Sequence, residues 1–112
     1  MAITSELLGK LGGADVETIP VSATVKSKDP YILYIGEVLP GETHWVFVLG
    51  TVNARSSSSS NLPDIWIGDT SGRFSGEGGV AAEVKAGYHV TIERNFSGGE
   101  DSFDGHVYIV KG

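Results

Sequence analysis

At 112 residues, with 40 % hydrophobic and 20 % charged side chains, the chain has the size and composition of one globular domain. Its 14 acidic residues against 8 basic ones leave a net charge of -6, which opposes phosphate neutralisation on nucleic acid and docking on an anionic membrane. The absence of cysteine excludes disulfides, thiolate metal sites and cysteine nucleophiles, while 16 glycines favour a turn-rich, all-β architecture.

The opening Thr4-Ser5-Glu6-Leu7-Leu8-Gly9-Lys10-Leu11-Gly12-Gly13 predicts a short helical segment. A hydroxyl residue offers an N-cap, Glu6 suits the first turn, and the glycine pair marks the stop. Ile3, Leu7, Leu8 and Leu11 follow i, i+4, i+5 and i+8 spacing and so share one face. A helix this short does not persist alone in water, so its leucines need a partner surface. That surface is either the chain's own β domain or a neighbouring subunit, on which the segment would act as an assembly anchor. Residues 1–13 are accordingly set apart from a β domain spanning 14–112. The start carries neither the basic flank nor the apolar run of a signal peptide, so folding in the cytoplasm is expected.

Ile19, Val21, Ala23 and Val25 alternate with polar residues at the period of a half-buried strand, and Pro20 suits a sheet edge. A polar turn ending in Asp29-Pro30 precedes Tyr31-Ile32-Leu33-Tyr34-Ile35, expected to be covered on both faces. After a Pro-Gly turn, His44-Trp45-Val46-Phe47-Val48-Leu49 is the most apolar run and predicts a central strand. Residues 53–63 contain five consecutive serines and predict an exposed loop.

Ile65-Trp66-Ile67 predicts a short strand, residues 69–72 a turn, and residues 73–79 irregular chain. Val80, Ala82 and Val84 alternate, as do Tyr88, Val90 and Ile92 with His89, Thr91 and Glu93 opposite. Residues 95–105 predict a second polar loop before a closing strand over residues 106–110. Seven or eight short strands at regular spacing predict a two-sheet β-sandwich, of jelly-roll or immunoglobulin-like type.

Little in this pattern suggests chemistry. His44, His89 and His106 are scattered without metal-ligand spacing, and the acidic stretch at residues 100–104 lacks the ligand pattern of a calcium loop. No GxSxG elbow or P-loop is present. The chain is therefore expected to be non-enzymatic, with no metal and no cofactor. Phe74, Phe96 and Phe103 fall in glycine-rich loops and are candidate contact residues: exposed aromatics are costly, so each is expected to plug an end of the sandwich or a partner's surface. Trp66, flanked by Asp64 and Asp69, would stack on a sugar ring if it faced outward, giving a carbohydrate- or host-surface-binding alternative.

Four stretches together carry a family likeness: the opening Ser5-Glu6-Leu7-Leu8-Gly9-Lys10-Leu11-Gly12-Gly13, the middle Trp45-Val46-Phe47-Val48-Leu49-Gly50-Thr51-Val52-Asn53, then Asp64-Ile65-Trp66-Ile67-Gly68-Asp69, and the closing Gly105-His106-Val107-Tyr108-Ile109-Val110. With them the chain resembles the small minor tail or head-associated structural proteins of tailed phages that infect actinobacteria. The resemblance spans most of the chain. It implies a compact β domain held in symmetric copies on the virion, made in the bacterial host cytoplasm, self-associating as a trimer or ring. It further implies contact with the major capsid or tail protein of the particle, and no catalytic residues.

Overall fold

The computed structural model describes residues 15–34, 38–55, 62–94 and 99–111. Among them are eight strands and no helix: β1 Asp15–Lys26, β2 Tyr31–Tyr34, β3 His44–Asn53, β4 Asp64–Ile67, β5 Thr70–Gly72, β6 Gly76–Val84, β7 His89–Glu93 and β8 Glu100–Lys111. They form two antiparallel four-stranded sheets, ordered β1-β8-β3-β6 and β2-β7-β4-β5. First pairs with last throughout: β1 with β8, β2 with β7, β3 with β6, β4 with β5. The chain therefore behaves as one long hairpin reversing between β4 and β5, and every other connection passes from one sheet to the other.

Period-two alternation explains why the sheets pack together. On β1, Val21, Ala23 and Val25 are buried while Ser22, Thr24 and Lys26 are exposed. Val46, Val48 and Val52 of β3 and Phe103, Val107 and Ile109 of β8 point the same way, and Ile65, Ile67, Val90 and Ile92 of the second sheet meet them in one cluster. Full burial of each such side chain contributes about 1.5–3 kcal/mol. As the sequence predicts, β1 with Pro20 lies at a sheet edge and β3 lies inside its sheet, between β8 and β6.

Four expectations need correction. The run beginning at Tyr31 is not covered on both faces: β2 is an edge strand, and Ile32 and Tyr34 are 41 % and 77 % exposed because no layer of the described residues lies beyond them. Residues 76–79 are not irregular, since their backbone pairs with β3 from Val52↔Gly76 onward and a ladder needs no side-chain pattern. Residues 70–72, expected as part of a turn, form the short strand β5 paired to β4. The predicted loop over residues 95–105 is strand from Glu100, so Phe103 is not a loop contact but a core residue, 1 % exposed. Phe74 likewise packs on the core, meeting Phe103 edge-on at 6.5 Å. Phe96, the serine run and the segment carrying Ile3, Leu7, Leu8 and Leu11 lie outside the described residues.

Two local features fix the middle and one end of the first sheet. Gly50 and Gly105 face each other across β3 and β8, and the Phe103 ring lies 2.8 and 2.9 Å from where their Cβ atoms would stand. A side chain at either glycine would also collide with backbone of the opposite strand. At the start of β8, Asp101 sits at an inward position and is held by the Arg94 guanidinium at 2.7 Å and the Arg55 backbone N–H at 2.8 Å. Both partners of that ion pair are buried, so each depends on the other for its charge to be tolerated.

Asp101→Asn is expected to cost about 3–5 kcal/mol in urea unfolding, because it strands the buried Arg94 charge. Gly50→Ala is expected to cost about 1–3 kcal/mol through overpacking. Alanine at Gly87, where an added Cβ meets nothing within 4 Å, should change stability by less than about 0.5 kcal/mol.

Candidate binding faces

The outer face of the second sheet holds two of the residues singled out as sugar contacts. Ile65 and Ile67 are 0 % exposed and point into the core, so Asp64 and Trp66 of β4 belong to the other face. Register extends the row on both sides, as Ile32–Thr91–Trp66–Ser71, and places Tyr34 opposite His89 alongside it. Four strands at about 4.8 Å spacing make this row about 14 Å wide, the span of two sugar rings or a small protein contact. Tyr34 is the most exposed of the large apolar side chains here, and its ring lies 5.7 Å from that of His89.

Polar groups on this face are largely committed to one another. The Trp66 indole N–H donates to Glu93 Oε1 at 2.9 Å, which fixes the ring from below. Asp64 accepts from the Arg73 guanidinium at two atoms, Nε and Nη2, the latter at 3.4 Å. That hydrogen bond, with the attraction of the two charges, raises the Arg73 pKa further above its already basic value. Asp69 stands apart, exposed in the turn after β4. Of the expected trio, Trp66 and Asp64 come together and Asp69 does not. Sequence reading placed Thr91 and Glu93 on one side of their strand but could not say which strand lay beside them. Ile32 and Tyr34 it missed, because an uninterrupted apolar run carries no sign of which face is open.

Among the described residues, crevices also lie beyond this face. One, of about 390 Å³, is lined by Asp69, Thr70, Glu83, Lys85 and Tyr88 among others. The Tyr88 hydroxyl beside it is buried without a hydrogen-bond partner among the described residues. Burial, and secondarily the Glu17 charge, push the phenol pKa well above its ordinary value of 10.0. His44, 3 % exposed, meets the Tyr88 ring edge-on at 6.2 Å; its Nε2 lies 3.9 Å from Glu42 Oε1, and neither imidazole nitrogen has a hydrogen-bond partner among the described residues. The second crevice, of about 280 Å³, is lined by Lys26, Lys28, Glu93 and Arg94 beside Ser27 and Pro30. Among the described residues, no three His, Asp or Glu side chains converge as metal ligands would. Comparison with family models, with curated proteins and with solved structures finds no match.

Tyr88→Phe is expected to be neutral or to stabilise by about 1 kcal/mol, since it removes a buried hydroxyl that no described residue satisfies. In the unsubstituted protein the unfolded chain releases this proton first as pH climbs past about 10, so the phenol's contribution is complete below that pH and lost above it. Thermal unfolding between pH 8 and pH 11 should show that decline, and Tyr88→Phe should reduce it.

Proposed function

We propose that the two sheets form a β-sandwich of jelly-roll type and that the chain is a non-enzymatic structural protein of a tailed-phage virion. In this reading it is a minor tail or capsid-decoration protein held in symmetric copies. The observation that carries it is the strand order, β1-β8-β3-β6 over β2-β7-β4-β5. A hairpin of four strand pairs wrapped on itself gives this order, the jelly roll of capsid and lectin domains. Immunoglobulin-like sheets, ordered ABED and CFG, give another. The resemblance of four sequence stretches to small phage structural proteins adds the particle and the host.

Copies would meet through exposed apolar side chains, and the described residues offer Ile32, Tyr34 and Leu39 in one stretch of chain. A closed ring or trimer would bury them against a neighbour's surface. The partner on the particle would be the major capsid or tail protein. Wild-type protein should run as an oligomer in size-exclusion chromatography with light scattering, and Ile32→Ser/Tyr34→Ser should shift it to monomer with an unchanged circular dichroism spectrum. A wild-type chain that is monomeric at high concentration and missing from purified particles by mass spectrometry would overturn the reading.

The second reading is a carbohydrate-binding module, favoured by the row Ile32–Thr91–Trp66–Ser71 with Tyr34 beside it. Aromatic rings on a flat sheet face can stack on sugar rings while neighbouring hydroxyl and carboxylate groups set orientation. Glycan-array binding abolished by Trp66→Ala, with oligomeric state retained, would select this reading over the first.

A further inference from the structure

The second crevice, of about 280 Å³, lies where the ends of strands from the two sheets meet: Ser27, just past β1, bridges Arg94, just past β7. Its lining is unbalanced in hydrogen-bonding terms. Lys26, Ser27, Lys28 and Arg94 bring donors, and lysine and arginine side chains have no acceptor to offer. Glu93 is the one carboxylate among the described lining residues, and its Oε1 already accepts the Trp66 indole N–H at 2.9 Å. With Asp101 set against Arg94, the lining still carries two ammonium charges against the single charge of Glu93.

The donors lack acceptors. The Arg94 side chain is 4 % exposed, and although Nη1 lies 2.7 Å from Asp101 Oδ2, neither Nη1 nor Nε completes a hydrogen bond among the described residues. Buried donors left in that state are costly. Ion pairs among the described residues join Glu42 to His44, Asp64 to Arg73, Glu83 to Lys85 and Asp101 to Arg94, and none reaches Lys26 or Lys28. Asp29, in the same turn, and Glu100, opposite Lys26 in the ladder, are both exposed. The turn itself is closed by the Asp29 N–H donating to the Lys26 carbonyl at 3.0 Å. Within it Lys28 takes a φ of 65°, the single non-glycine residue with positive φ among the described residues. Gly41, Gly68, Gly76 and Gly99 fill the other such positions, so a lysine here keeps an ammonium at the crevice against a conformational cost.

We propose that this crevice binds a tetrahedral oxyanion, sulfate or phosphate, with Lys26, Lys28, Ser27 and Arg94 as its donors. Such an ion supplies several acceptor oxygens and a charge at once, and hydrogen bonds to it from ammonium and guanidinium groups are of the strong, charge-assisted kind. The volume falls just under the range of about 300–1,000 Å³ typical of small-molecule pockets, which suits the ionic group itself and little more. The net charge of -6 does not forbid it, because exposed charges are screened beyond about 8–10 Å while the two lysines act at contact distance. The oxyanion is either a free ion or a group carried on a sugar, since Glu93 both walls the crevice and anchors Trp66 of the neighbouring face. The site stands apart from both readings of function, and each can fail while the others hold.

The test titrates the full chain, labelled with nitrogen-15, with sodium sulfate and with sodium phosphate, against sodium chloride at matched ionic strength. Saturable amide shifts at residues 26–28 and 93–94 are expected with both oxyanions and not with chloride. Lys26→Gln/Lys28→Gly removes both ammonium groups at exposed positions, and glycine suits the backbone of the turn, so the fold is kept. This variant should bind about tenfold more weakly or worse. Lys85→Gln, at the other crevice, should bind as the wild type does. Arg94 is left in place because the buried Asp101 depends on it. A sugar phosphate that binds more tightly than the inorganic ion and also shifts the Trp66 indole would identify the oxyanion as part of a glycan; equal affinity would identify the free ion. No saturation at millimolar ion, equal shifts with chloride, or undiminished affinity in the double variant would each overturn the proposal.

Discussion

The ladder between β3 and β8 is the constraint on which the rest of the first sheet depends. It runs from His44↔Lys111 to Asn53↔Ser102, joining strands far apart in sequence. β1 reaches the sheet only through β8, and β6 only through β3, so without this ladder the sheet falls into two separate pairs. Its middle is held close by Gly50 and Gly105, whose missing side chains leave room for the tip of the Phe103 ring against the backbone. Near its end, the Arg94–Asp101 pair ties the chain leaving β7 to the start of β8, a charged link from one sheet to the other. A buried pair of this kind adds little net stability against an apolar replacement, yet it penalises any register that separates the two charges.

What the sequence revealed followed from how burial writes itself into residue order. Where one face meets the core and the other meets water, as at Ile19 to Val25, the alternation is plain and the strand is readable. It fails where an inward position is filled by something other than a hydrophobe. Asp101 and Gly105 occupy inward positions of β8, so its first half reads as a loop, and Phe103 then looks like a stranded aromatic instead of a core residue. It fails again at β2, where an apolar run sits at a sheet edge with one side open. Composition can say that a residue is apolar but not whether a layer exists above it. The candidate face was half legible for the same reason: Trp66 stood out, while its neighbours across the strands depend on a pairing that no local signal encodes.

The two outer faces now divide the molecule's tasks. The first sheet turns a closed apolar patch outward, centred on Phe47, and on the polar half of that face the Ser22 hydroxyl donates to Asp104 at 2.8 Å. The second sheet turns outward a mixture of aromatic, hydroxyl and carboxylate groups, from the open Tyr34 ring to the buried Asp64. On either proposed reading, recognition of another copy or of a sugar would fall to the second sheet, with the first as its rigid backing.

The strands at the margins carry a further consequence. β5 spans three residues, β2 spans four, β1 holds Pro20 midway along its length, and β6 opens on three glycines with a glutamate between them. None of these offers a long, flat, apolar row of free amides onto which another chain could zip. Copies of this protein would thus stick together by side chains and not by extending a sheet. An encounter of that kind is reversible, adjustable one residue at a time, and poorly suited to seeding fibres when many molecules crowd into one place.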